Sequence, residues 1–280
     1  MKVHGLRAGL LLLAAGLALS GCGRGDFRYF DSDGTTIAYQ VYGEGPTVVL
    51  VHGITGSGNL HWDFPGTVRC LERDFRVVTI DCRAHGRSDK PTDPDAYGLA
   101  MVEDVRRLLD HLGVDRAGIA GYSMGSWITL KFASLYPERV WAVAVGGGGW
   151  ADFTPWLEDG EKRLVLPIHE DFSQEALDAC GQGFPEFQLS AQEVEALPSP
   201  LLIRTGRLDF SKDAAARLAE ARPDADYRVV GLHTHASMLF APVFHRTLRD
   251  FFLDAAGSWQ PSQTLATIGV LASRAGRILE

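Results

Sequence analysis

The stretch Ala117-Gly118-Ile119-Ala120-Gly121-Tyr122-Ser123-Met124-Gly125-Ser126-Trp127-Ile128 changes character in the middle. Ala117 to Ala120 is small and apolar, as expected of a strand buried on both faces of a parallel sheet. From Ile128 onward, Ile128, Phe132 and Leu135 fall at helical spacing, and Pro137 ends the run. Between them, Gly121-Tyr122-Ser123-Met124-Gly125 matches G-x-S-x-G in a strand–turn–helix context. A turn this tight leaves no room for side chains at its flanks, so Gly121 and Gly125 are sterically required. The Ser123 hydroxyl is then exposed at the tip, over a helix N-terminus that favours developing negative charge.

The same alternation extends outward. Phe27 to Tyr29 and Thr36 to Tyr42 flank Asp33-Gly34, which reads as a hairpin. Thr47–Val51, Arg76–Ile80, Val140–Val145 and Leu201–Ile203 are further continuous apolar strands. Met101, Val105, Leu108, Leu109 and Leu112 share one helical face. Strand and helix alternate, which predicts parallel crossovers and an α/β fold. The pattern breaks at Gly146–Gly149, and residues 150–198 read as an insertion between two core strands, a lid. Trp150, Phe153 and Trp156 are its candidate substrate-binding residues; Phe172, Phe184 and Phe187 add further aromatics.

A serine hydroxyl needs a base to take its proton. His233 and His235 follow the strand-like Tyr227–Val230 and precede a helical pattern around Pro242 to Phe252. His235 is preferred, because His235-Ala236-Ser237 leads directly into the helix; His233 is the alternative. The base needs an acid to hold its tautomer. Asp209 stands just past the strand Leu201–Ile203, with Asp152 and Asp213 as weaker candidates. Val51-His52-Gly53-Ile54-Thr55-Gly56 leaves a strand into a glycine-rich turn, so the backbone amides of Ile54 and Met124 are the candidate oxyanion donors. His52 is expected to brace that turn. The His233-x-His235 pair lacks a nearby acidic or Cys cluster, so no metal is expected.

These pieces together resemble the α/β-hydrolase superfamily from Phe27 to about Asp254. Asp81-Cys82-Arg83-Ala84-His85-Gly86-Arg87-Ser88 is similar to its D-x-R-G-H-G-x-S turn, with Ala84 where Gly is usual; Ser126 also stands where Gly is common. The resemblance implies a mostly parallel eight-stranded sheet with helices on both faces and a short lid after the sixth strand. It also implies a serine hydrolase with a Ser123–Asp209–His235 triad and no cofactor. The expected substrate is a small-molecule carboxylic ester. Lactonase, carbon–carbon hydrolase, aminopeptidase and perhydrolase chemistry, or a non-catalytic binding role, are the alternatives. Activity is expected to fall below about pH 6.5, where an unperturbed histidine is protonated.

The chain has 280 residues, 46% hydrophobic and 22% charged, which excludes a disordered or low-complexity protein. Its 27 Lys and Arg against 35 Asp and Glu give a charge of −8, which argues against a nucleic-acid partner. Lys2 and Arg7 precede an uncharged run over residues 8–23, the size of an export-signal core and short for a membrane span. Leu19-Ser20-Gly21-Cys22 resembles the lipobox of bacterial lipoproteins. That implies cleavage after Gly21, acylation of Cys22 (palmitate among the chains) and membrane attachment, in the outer membrane facing the periplasm if the envelope is Gram-negative. Removing residues 1–21, with Lys2 and Arg7 and no acid, would leave 259 residues of charge −10. The expected organisation is a signal over 1–21, a tether over 22–26, a core over 27–149 and 199–256, the lid over 150–198 and a tail over 257–280. Cys70, Cys82 and Cys180 read as small buried hydrophobes, though an exported chain could form one disulfide among them.

Overall fold

A computed structural model of the chain describes residues 25–153, 173–198 and 200–258. Cys22 and the signal, the insertion residues Trp156 and Phe172, and the tail beyond Ser258 lie outside those residues. Strands β1 (Arg28–Ser32) and β2 (Thr35–Tyr42) form the hairpin, with Asp33 and Gly34 both at positive φ (59° and 80°). Two successive positive φ values match the turn to the right-handed twist of the strands, which is why Asp-Gly is favoured there.

Strands β3 (Thr47–Val51), β4 (Arg76–Ile80), β5 (Ala117–Tyr122), β6 (Val140–Gly146), β7 (Leu201–Gly206) and β8 (Asp226–Val230) follow. They form one eight-stranded sheet in the order β1-β2-β4-β3-β5-β6-β7-β8. The β1–β2 and β2–β4 pairings are antiparallel and the other five are parallel.

Both faces are covered. Val49, Val51, Val78, Ile80, Val143, Val145 and Ile203 point to the side holding α2 (Leu99–His111) and α3 (Met124–Leu135). Val48, Leu50, Val77, Ala142, Ala144 and Leu202 point to the side holding α1 (Thr67–Leu71) and α8 (Pro242–Ser258). Successive strand residues face opposite ways, so covering both faces demands unbroken apolar runs. Strand β7 runs three residues further than its apolar run suggests. Buried Arg204 can stay in the strand because its guanidinium donates to the Asp226 carboxylate at 2.7 Å and to the Asp226 carbonyl at 2.5 Å.

After β6 the chain squeezes past its neighbours. Gly147 adopts φ 56°, and a Cβ on Gly149 would lie 2.3 Å from the Ala214 carbonyl oxygen. Residues 150–198 do fall between β6 and β7, and their described part holds α4 (Gln174–Gln182) and α5 (Ala191–Glu195). Helices α6 (Lys212–Ala221) and α7 (His235–Met238) complete the set. Cys82 and Cys180 are free and buried, and Cys70 is free and half-buried. Burial pushes the Cys180 thiol up to about 12, so it behaves as a small apolar side chain.

The turn after β4 is anchored from below. Arg83 donates to both oxygens of Asp104 (2.8 and 2.6 Å), and Ser32 Oγ donates to the same carboxylate at 2.5 Å. Arg83 and Asp104 are both buried, so removing one partner strands a charge in the core. Asp104→Ala is expected to cost about 3–5 kcal/mol. Urea unfolding of the variant against the parent measures this; a loss below about 1 kcal/mol would mean the pair is solvated.

Candidate active site

Strands β3, β5, β7 and β8 run parallel, so their C-terminal ends share one edge of the sheet, the edge where open α/β sheets place ligands. Four loops leave that edge, carrying His52, Ser123, Asp209 and His235.

Ser123 lies at the turn from β5 into α3 with φ 56° and ψ −121°, a conformation a non-glycine residue rarely adopts. Its surroundings enforce it. A Cβ on Gly121 would stand 2.0 Å from the Gly125 carbonyl oxygen, and one on Gly125 would stand 2.1 Å from that of Val51. Ser123 N–H donates to Gly146 O at 2.9 Å, and the Ser126 hydroxyl lies 2.9 Å from the same oxygen. Ser126 thus ties the elbow to β6, which a glycine at that position could not do. The Met124 amide belongs to the first turn of α3, whose N–H groups lack intrahelical acceptors.

Asp209 and His235 meet. His235 Nδ1 is 2.9 Å from Asp209 Oδ1, which also accepts from Ser211 N–H and the Ser211 hydroxyl, each at 2.8 Å. Burial alone would raise the Asp209 carboxyl. The hydrogen bond and charge of His235, with the Ser211 donors, outweigh it and hold the group below the usual carboxylate range. His235 opens α7 through a capping box, Thr234 Oγ1 taking Ser237 N–H and Ser237 Oγ taking Thr234 N–H. His233 turns away, its Nδ1 3.5 Å from Ser237 Oγ. Asp152 and Asp213 are exposed, and Asp213 sits in the first turn of α6.

The turn after β3 is rigid for a specific reason. Cys82 N–H donates to His52 Nε2 at 3.0 Å, so the ring proton is on Nδ1, which donates to Gly53 O at 2.7 Å. Gly56 N–H donates to the same carbonyl at 3.0 Å. That carbonyl belongs to the peptide unit whose N–H is Ile54's, and a trans peptide points its N–H away from its C=O. His52 therefore aims the Ile54 amide, the bracing expected of it. Ala84, in the similar turn after β4, takes φ 71°, where glycine is cheaper; its fully buried methyl offsets part of that cost.

Trp150 and Phe153 have neighbours within the insertion and α3. The Trp150 indole donates to Leu189 O at 2.9 Å; buried Phe153 packs edge-on to Trp127, ring centres 5.0 Å apart. Phe184 also packs on Trp127. Three neighbours were not legible in the sequence. The Tyr122 hydroxyl donates to the His235 carbonyl at 2.5 Å, tying the residue before Ser123 to the histidine loop. Phe210, 79% exposed, covers the His235 ring at a centroid distance of 4.2 Å. His61 Nδ1 accepts Gly53 N–H at 3.1 Å. His61 sits in a single π-helical turn, Asn59–Asp63, too short for a periodic apolar pattern and without a motif to flag it.

Residues 46–183 match the family model described as alpha/beta hydrolase fold. A Bacillus subtilis (strain 168) protein named as a 2-succinyl-6-hydroxy-2,4-cyclohexadiene-1-carboxylate synthase is 33% identical over 65% of this chain and 66% of its own length, just under two thirds. A 2-hydroxy-6-oxononadienedioate/2-hydroxy-6-oxononatrienedioate hydrolase of Paraburkholderia phymatum is 28% identical over 73% of this chain and 86% of its own. A thermophilic esterase from Thermogutta terrifontis shares the fold, with TM-score 0.71 at 20% identity, over 82% of this chain and 99% of its own.

Burial, with His52 and His235 nearby, pushes the His61 imidazole down to about 3. An unfolded histidine takes up its proton near pH 6.5. Between those values the unfolded chain holds a proton that the fold excludes, so stability falls as pH falls, by up to about 1.4 kcal/mol per unit. His61→Asn keeps an acceptor for Gly53 and should flatten that limb. Urea unfolding between pH 7 and 4 measures it; an unchanged slope would contradict a neutral His61.

Proposed function

We propose that this chain, which has the α/β-hydrolase fold and matches that family's model over residues 46–183, is a serine hydrolase cleaving a carboxylic ester through an acyl-enzyme on Ser123. The observation that carries the reading is the 2.9 Å Asp209–His235 hydrogen bond on the strand edge that also presents Ser123. Asp209 takes His235 Nδ1–H and leaves Nε2 as the base. Nε2 removes the Ser123 proton as the hydroxyl oxygen attacks the acyl carbon, and the Ile54 and Met124 amides hold the resulting oxyanion. The intermediate collapses, the C–O bond to the alcohol breaks, and the imidazolium protonates the leaving oxygen. A water, deprotonated by His235, then attacks the acyl-enzyme and releases the acid with Ser123 restored. Every step is supplied by side chains and backbone, with no cofactor.

A second reading is cleavage of a carbon–carbon bond in an oxygen-rich acid. It is favoured by the name of the Paraburkholderia phymatum relative. We infer further that residues 1–21 are an export signal and Cys22 a lipidated anchor, on the strength of Leu19-Ser20-Gly21-Cys22.

A fluorophosphonate probe should label the parent protein and not Ser123→Ala, and Asp209→Asn should lower kcat on p-nitrophenyl esters by about 10⁴. A folded parent that neither labels nor turns over any ester would sink the hydrolase reading. Cys22→Ala should move the protein from the membrane fraction to the soluble one; unchanged attachment in fractionated cells would refute the anchor.

A further inference from the structure

His61 stands beside the nucleophile. A Cβ built on Gly53 would lie 2.9 Å from Ser123 Cβ and 3.3 Å from His61 Cε1, so the hydroxyl-bearing carbon and the imidazole carbon lie no more than about 6 Å apart. Gly56 gives the ring its space on another side, since a Cβ there would come within 2.5 Å of Cε1. The rings of His52 and Tyr122 stand edge-on to it, at centroid distances of 6.1 and 6.4 Å. The imidazole is walled in, yet part of the residue stays accessible, as expected of a side chain lining a cleft.

Its protonation follows from its neighbours. The Gly53 amide can only donate, so His61 Nδ1 must be the acceptor and the single proton of the neutral ring lies on Nε2. The low proton affinity of the ring, about 3, keeps it in that form and out of competition with His235 for the Ser123 proton. His61 N–H donates to Ser57 O at 3.0 Å and Leu60 N–H to Ser57 Oγ at 3.1 Å, which hold the turn carrying the ring. Among the described residues Nε2–H has no hydrogen-bond partner. Nε2–H reaches accessible space, where an oxygen bound in the cleft can accept from it, and an acceptor for Gly53 needs no second nitrogen.

We infer that His61 is a substrate-binding residue whose Nε2–H hydrogen-bonds an oxygen carried by the acyl group, so that the site prefers oxygen-bearing acyl chains to plain alkyl ones. This rests on the acyl-transfer reading above and adds a substrate class to it. An uncharged donor suits an ether, hydroxyl or keto oxygen near the scissile carbonyl.

The test uses p-nitrophenyl methoxyacetate and p-nitrophenyl butanoate, matched in length with an oxygen in place of one CH₂. In each variant the ratio of their kcat/KM values is read against the parent's, which cancels the intrinsic reactivity of the esters. His61→Leu and His61→Asn should lower the methoxyacetate-to-butanoate ratio about three- to tenfold, the worth of one neutral hydrogen bond. His61→Gln, which restores a distal N–H, should recover it. A ratio unchanged in all three variants, with both esters falling in His61→Leu and recovering in His61→Asn, would confine His61 to holding Gly53 and overturn the inference. If the parent hydrolyses neither ester, the ester reading fails by itself. The inference is then decided by the ring-nitrogen NMR signals of the ¹⁵N-histidine-labelled protein. A His61 Nε2 shift with methoxyacetate and none with butanoate upholds it; equal or absent shifts overturn it.

Discussion

Gly125 lies so close to the end of β3 that any side chain there would collide with the Val51 carbonyl, and the molecule is arranged around that contact. It brings the first turn of α3 against the loop holding His52 and Gly53, and it leaves Ser123 with a positive φ. A non-glycine residue in such a conformation costs about 1–3 kcal/mol. That cost is borne by the buried core on both faces of the sheet and by the bonds from Ser123 N–H and the Ser126 hydroxyl to β6.

The rest of the site extends this constraint by hydrogen bonds to backbone. His52 fixes the peptide that carries the Ile54 amide, and His61 fixes the one before it. Tyr122 holds the carbonyl of His235, while Asp209 holds the ring of the same residue. Two neutral histidines, His52 and His61, thus serve as backbone clamps, while a third, His235, pairs with Asp209. Environment separates the roles: desolvation drives His52 and His61 towards neutrality, whereas His235 is half-buried against a carboxylate.

Much of the fold was legible because the chemistry was local. The Asp33-Gly34 turn, the unbroken apolar strands and the helix closed by Pro137 each carry a short-range reason for their conformation. The glycines of the elbow were legible for the same reason, since a five-residue turn meets its own atoms. The apolar run of β7 ends at Ile203, and only the distant Asp226 lets Arg204 continue it as a strand residue. The neighbours of Trp150 and Phe153 were not legible, because an aromatic in an insertion packs on whatever apolar surface lies beneath it, and here that surface includes Trp127 and the chain at Leu189.

By itself the sequence determined which residues could form strands, which turn could carry a serine at its tip, and which histidines and carboxylates followed strands. Periodicity and backbone sterics act over a few residues, so a string of letters contains them. The tertiary structure alone decided that Asp209 pairs with His235 and not with His233, that His52 aims an amide, and that His61 stands near Ser123. Those outcomes depend on parallel strands bringing together, at one edge, loops that lie tens of residues apart, and on hydrogen-bond directions that exist only once the sheet has formed.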